Sequence, residues 1–170
     1  MKDILFIIAQ IIGALVFVIK IVGYTKITTR QVYIYNGVCN ALAAIQYTLL
    51  GALTGALCCL IALLRNIVFS RFKNKIPVYI LLIYIGLVIV LNITLINGAL
   101  DILPMINIIL YAYGLWTKDI MTIKIMGLFT CFTGAIYDYN SRAYVTVLNE
   151  IIDGIIAVRC IYILKKKKGK

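Results

Sequence analysis

The chain has 170 residues, of which 64% are hydrophobic and only 14% charged, a balance too apolar for a soluble domain of this size. Its net charge of +11, with no histidine, would suggest nucleic acid in a soluble protein. Here the basic residues gather at the ends of apolar runs, as in a chain held at a negatively charged membrane face, so an integral membrane protein with no nucleic-acid partner is expected. A hydrocarbon core of about 30 Å takes roughly 20 residues of helix, so this length holds about seven spans and excludes a separate soluble domain.

Taken in order, the apolar runs predict spans near residues 4–23, 33–50, 52–70, 77–96, 102–116, 121–137 and 144–164. The first begins directly after Met1, Lys2 and Asp3, without a basic leader or a small-x-small cleavage site, and reads as a retained helix. Tyr33 to Ser70 is uncharged until Arg65. As one helix at about 1.5 Å per residue it would be roughly 57 Å long, so it is broken in the segment Leu50-Gly51-Ala52-Leu53-Thr54-Gly55. Seven spans put eleven basic residues on one face: Lys26, Arg30, Arg71, Lys73, Lys75, Lys118, Lys165 to Lys168 and Lys170. The other face receives Lys2 and Arg142, so the N-terminus is expected outside and the C-terminus in the cytoplasm. Lys20, Arg65, Lys124 and Arg159 fall in the cytoplasmic halves of their spans, where long side chains can snorkel to the head groups. Cys39, Cys58, Cys59, Cys131 and Cys160 all lie inside apolar runs and read as packing residues, and no metal or cofactor is expected.

Spans one to three and five to seven read as two copies of one unit around a lone fourth helix. Thr25-Lys26 closes the first span as Thr117-Lys118 closes the fifth. Gly37 and Tyr47 are spaced in the second as Gly127 and Tyr137 are in the sixth, and Ala62-Leu63-Leu64-Arg65 echoes Ala157-Val158-Arg159. An odd intervening helix makes such copies parallel, related by an axis along the membrane normal.

The region Tyr35 to Phe69, with its small-residue turn and the tail Leu63-Leu64-Arg65-Asn66-Ile67, followed by Asp101-Ile102-Leu103-Pro104 opening a helix that ends at Trp116, resembles the YgjV-like bacterial inner-membrane proteins. That family is in turn similar to the SWEET and PQ-loop transporters. The resemblance implies an all-α, seven-helix, three-plus-one-plus-three parallel-repeat bundle in the bacterial cytoplasmic membrane. It also implies a solute pocket between the repeats, lined by such residues as Asn36, Asn40 and Gln46. The Pro-Gln dipeptide of the PQ-loop proteins is absent: Gln10 stands alone in the first span and Pro104 in the fifth.

Three groups of residues could carry chemistry. Asn149, Glu150 and Asp153 lie in the seventh span, with Asn149 and Asp153 about 40° apart on the helix and Asp153 near the midplane. A carboxylate at that depth costs several kcal/mol, so these residues form either a polar pocket for a cation, a proton or a hydroxylated solute, or a network tied to Asn40, Gln46 or Arg65. Asn36 and Asn40 share a face of the second span, with Gln46 beyond, as pocket lining or as interhelical hydrogen bonds. Arg65 and Arg159 occupy matching places near the cytoplasmic end, as snorkelling anchors or as partners of Glu150 or Asp153 in an inner gate. Pro104 is an ordinary first-turn proline or, with Asn107, marks a short binding-site helix. The small residues Gly51, Ala52, Gly55, Ala56, Gly127, Cys131 and Gly134 suit close helix packing.

Two functions fit: a small-solute transporter with a midplane polar pocket, or a non-transporting multi-pass protein acting as a partner or assembly component. The expected partners are the lipid bilayer and a small polar solute, with self-association left open. An intramembrane aspartyl protease is set aside, because Tyr137-Asp138 supplies only one half of its motif and no Gly-x-Gly-Asp accompanies it. No enzymatic activity is expected.

Overall fold

The computed structural model describes residues 2–24, 29–72, 76–96, 98–117 and 119–168. Within them run seven α-helices: α1 (Lys2–Tyr24), α2 (Thr29–Leu49), α3 (Leu53–Ser70), α4 (Val78–Asn92), α5 (Ile102–Thr117), α6 (Ile120–Asn140) and α7 (Tyr144–Lys168). A single 3₁₀ turn, Ala99–Asp101, leads into α5, and there is no strand among the described residues. Thr25, Lys26, Lys73, Lys75, Lys118 and Lys170, used above for repeat and orientation, lie outside the described residues.

The break between α2 and α3 falls at Gly51. Its φ of +76° is a left-handed conformation that glycine adopts at little cost. Ala52 N–H bonds back to Tyr47 O at 2.9 Å and Gly51 N–H to Thr48 O at 3.1 Å, the crossed pair of a Schellman cap. The α6–α7 turn closes the same way, with Ala143 N–H on Asp138 O at 2.8 Å and Arg142 N–H on Tyr139 O at 3.2 Å. There the left-handed position is taken by Arg142, at φ 59°. Asp119 caps α6 by accepting from Thr122 N–H at 2.9 Å. Pro104 sits in the first turn of α5, where its missing N–H would have had no helical partner. The fourth helix is shorter than predicted, ending at Asn92 rather than near residue 96, where Asn92 Nδ2 bonds back to Val88 O at 2.8 Å and a turn follows.

Segments Asp3–Lys20, Leu53–Ser70 and Ala99–Thr117 are long and apolar enough to cross a membrane, and Val78–Asn92 is a shorter apolar helix. The bundle is apolar on its outside. α1 turns Ile4, Ile7, Ile11, Leu15 and Val18 outward and packs Ala9, Gly13 and Val16 inward. α4 touches the bundle by one stripe, Leu81, Tyr84, Val88 and Asn92, with Leu82, Ile83 and Val90 exposed. Such a surface suits hydrocarbon and not water.

Successive neighbours form a ring, α1–α2–α3–α5–α6–α7 and back to α1, with α4 resting on α3 and α5. Packing is extensive among α1, α2 and α3 and among α5, α6 and α7, and much lighter where the halves meet, at α1–α7 and α3–α5.

Candidate functional site

The inward face of α7 carries Thr146, Asn149, Glu150, Asp153 and Ala157, at the three- and four-residue spacing of one helical stripe. Against it α1 presents Gly13 and Lys20, and α2 presents Gln46. Lys20 Nζ lies 2.8 Å from Asp153 Oδ2 and 3.6 Å from Glu150 Oε1, so one ammonium serves two carboxylates. Asn149 Nδ2 donates to Gly13 O at 3.3 Å. Gln46 and Thr146 bond reciprocally: the amide donates to the hydroxyl at 3.0 Å, and the hydroxyl faces the amide oxygen at 3.2 Å. A Cβ at position 13 would sit 2.8 Å from Gln46 Nε2, so a larger residue there would make the Gln46 amide shift. Gln10 clamps the α6–α7 turn, donating to Arg142 O at 2.9 Å and accepting from Val145 N–H at 3.2 Å.

The polar column continues toward the end of the bundle that carries the two Schellman turns. The Tyr47 hydroxyl donates to buried Asp138, and the Tyr137 hydroxyl accepts the Gly55 N–H at 3.0 Å. A cavity of about 330 Å³ opens at this end, lined by Leu50, Gly51, Asp101, Tyr137, Asn140 and Arg142, among others. A second hollow, of about 280 Å³, lies on the outer face of α6 at Leu128, Phe129 and Phe132. Glu150 leans toward α6, with its Cδ 3.5 Å from where a Cβ on Gly134 would stand, and Asn107 Nδ2 lies as near to that point. Asn107 accepts from the Thr133 hydroxyl.

The expected site residues are therefore divided. Gln46, Asn149, Glu150 and Asp153 come together between α1, α2, α6 and α7, and Asp153 is only 8% exposed. They line neither of the two hollows, and hydrogen bonds and ion pairs hold them to the neighbouring helices. Asn40 is half-buried on α2. Asn36 is half-buried, with Nδ2 donating to the Tyr111 hydroxyl at 3.5 Å. The basic partner of the carboxylates is Lys20, not Arg65 or Arg159. Expected at a head group, the Lys20 ammonium instead pairs with the two carboxylates of α7. Arg65 also stays inside, 4% exposed, between the rings of Tyr84 and Tyr111, whereas Arg159 is exposed. Sequence reading missed Gln10, Gly13, Thr146 and the role of Lys20. The spacing Ala9, Gly13, Val16, Lys20 was a visible signal, since it places the lysine on the same stripe as the small residues.

The YgjV family of bacterial inner membrane proteins matches residues 7–168, nearly the whole chain. The chain belongs to this family. No curated protein and no solved structure matches it. Membership in the YgjV family agrees with the apolar exterior and places the protein in the bacterial inner membrane.

Proposed function

We propose that this YgjV-family protein is a small-solute transporter, with all seven helices crossing the membrane, the N-terminus outside and the C-terminus in the cytoplasm. In this reading α1–α3 and α5–α7 are two parallel copies of a three-helix unit joined by α4, as in the SWEET transporters. Each ring contact has a counterpart under that pairing: α1–α2 with α5–α6, α2–α3 with α6–α7, and α3–α5 with α7–α1. The matched Schellman closures of the α2–α3 and α6–α7 turns support the same pairing. The observation that carries the function is two firmly packed halves meeting along two light seams, one of which holds the charged column. Rocking of one half against the other would open such a seam and expose the column in turn to each side.

The chemistry is that of a gated polar path. The cavity at the turn end is the outer vestibule, and the Lys20, Glu150 and Asp153 cluster closes the path toward the cytoplasm. Two carboxylates against one ammonium leave a surplus acidic group, suited to exchange with a proton or cation as the seam opens. The partners are then the bilayer and a small polar solute, and no enzymatic step is proposed. A second reading, a non-transporting membrane component, is favoured by the mutual hydrogen bonds of Gln46, Thr146 and Asn149. Screening the purified protein for thermal stabilisation by sugars, nucleosides and amino acids separates the two. A transporter gives a stabilising solute whose effect is lost in Asp153→Asn while the variant stays folded; a scaffold gives none. The orientation is tested with a periplasm-active reporter fused after Lys170, which should stay silent.

A further inference from the structure

The Arg65 guanidinium is enclosed by α3, α4 and α5. Its Cζ stands 5.3 Å from the ring centre of Tyr111 and 5.8 Å from that of Tyr84. Nε and Nη2 both donate to Asn66 Oδ1, at 3.3 and 3.1 Å, and Nη1 donates to Ile108 O at 3.4 Å. Among the described residues no carboxylate lies within ion-pair distance of it. The two polar groups left without a hydrogen-bond partner among the described residues are both beside this arginine: Asn66 Nδ2 and the Tyr84 hydroxyl, on residues 1% and 6% exposed. The bonds from Arg65 to Asn66 Oδ1 fix which arm of the amide is nitrogen, so the unsatisfied arm is a donor.

The surroundings are therefore rich in donors and poor in acceptors. Guanidinium has five N–H groups, of which three are engaged, and Asn66 Nδ2 adds a further donor, while the Tyr84 hydroxyl can donate or accept. Ring faces stabilise the cation but accept none of these hydrogen bonds in the plane of the guanidinium. An oxyanion supplies both what the charge lacks and what the donors lack, and a planar or tetrahedral oxyanion suits the guanidinium fork. We propose that Arg65, Asn66 and Tyr84 form a binding site for a single oxyanion group, a carboxylate or a phosphate. The site uses none of the Lys20, Glu150 and Asp153 side chains, so its test is distinct from that of the transport reading.

The test is thermal unfolding of the full-length protein at fixed ionic strength. It is run in neutral detergent with acetate or inorganic phosphate, and in nanodiscs of phosphatidylcholine with or without phosphatidylglycerol. The wild type should gain several degrees with a soluble oxyanion if the source is a free anion, or only with phosphatidylglycerol if it is the head group of a net-anionic lipid, whose phosphate is not already paired with choline. Asn66→Asp keeps the oxygen that Arg65 grips and supplies the negative charge from within, so this variant should unfold at a higher temperature without added anion and no longer respond to it. Arg65→Gln should lose the response as well, and Asn66→Asp decides the matter if that variant does not fold. Equal responses in wild type and Asn66→Asp, no response to any of the anions, or an Asn66→Asp protein less stable than wild type would overturn the site.

Discussion

Removing Lys20 should cost more than removing either carboxylate it serves. In Lys20→Met the side-chain volume is nearly kept but Asp153 and Glu150 are left facing each other, with side chains only 9% and 18% exposed. Breaking a buried pair by deleting one partner costs about 3–5 kcal/mol, because the other charge stays buried and uncompensated. Lys20 itself is partly open, at 23% side-chain exposure, which argues for the lower half of that range. In Asp153→Asn the ammonium keeps Glu150 at 3.6 Å and can close on it, so the loss is one charged hydrogen bond, about 1–2 kcal/mol. Glu150→Gln removes the weaker partner of an over-supplied cation and should change stability by less than about 1 kcal/mol. The double variant Lys20→Met with Asp153→Asn should recover part of the loss of Lys20→Met, giving a coupling of about 1–3 kcal/mol. Equilibrium unfolding in mixed detergent micelles measures all four. A Lys20→Met protein no less stable than Asp153→Asn would show that the cluster does not share its charge in this way.

Gly55 has no room for a methyl group, since a Cβ would lie 2.9 Å from Tyr137 Cε1 and from its hydroxyl. Gly55→Ala should therefore displace Tyr137, break its bond to the Gly55 N–H and destabilise the protein by about 1–3 kcal/mol by the same unfolding assay. Arg142 holds a left-handed conformation that an L side chain adopts at a cost of about 1–2 kcal/mol. Arg142→Gly relieves this strain and keeps the backbone carbonyl that Gln10 grips, so the midpoint of unfolding should rise or hold; a clear fall would mean that the arginine side chain is needed at the turn.

The helices were legible because each is a run of apolar residues closed by a turn signal. The Gly51 break was readable for a definite reason, namely that an uninterrupted helix through it would outrun the membrane. The α6–α7 turn carries the same cap with an arginine in the glycine position, and no residue-type signal announces that. The carboxylates of α7 stood out because charge is rare in apolar runs, but their partner did not. Lys20 is as close to the end of its span as a snorkelling lysine would be, and only the packing of α1 against α7 decides between lipid head group and carboxylate. Asn36 shows the converse limit. Its four-residue spacing from Asn40 gives one face of α2, but the spacing does not reveal that its partner is the Tyr111 hydroxyl on α5.

Water access to the column tests the central claim most directly. In a background with the native cysteines replaced, Thr146→Cys in the column and Leu148→Cys on the outer face of α7, where Leu148 is 60% exposed, are treated in intact membranes with a charged thiol reagent from each side in turn. The transport account predicts that Thr146→Cys reacts, slowly and from at least one side, because opening of the α1–α7 seam hydrates it, while Leu148→Cys stays inert in hydrocarbon. A Thr146→Cys protein that folds and reacts no faster than Leu148→Cys from either side would contradict it and leave the column as a permanently closed structural network.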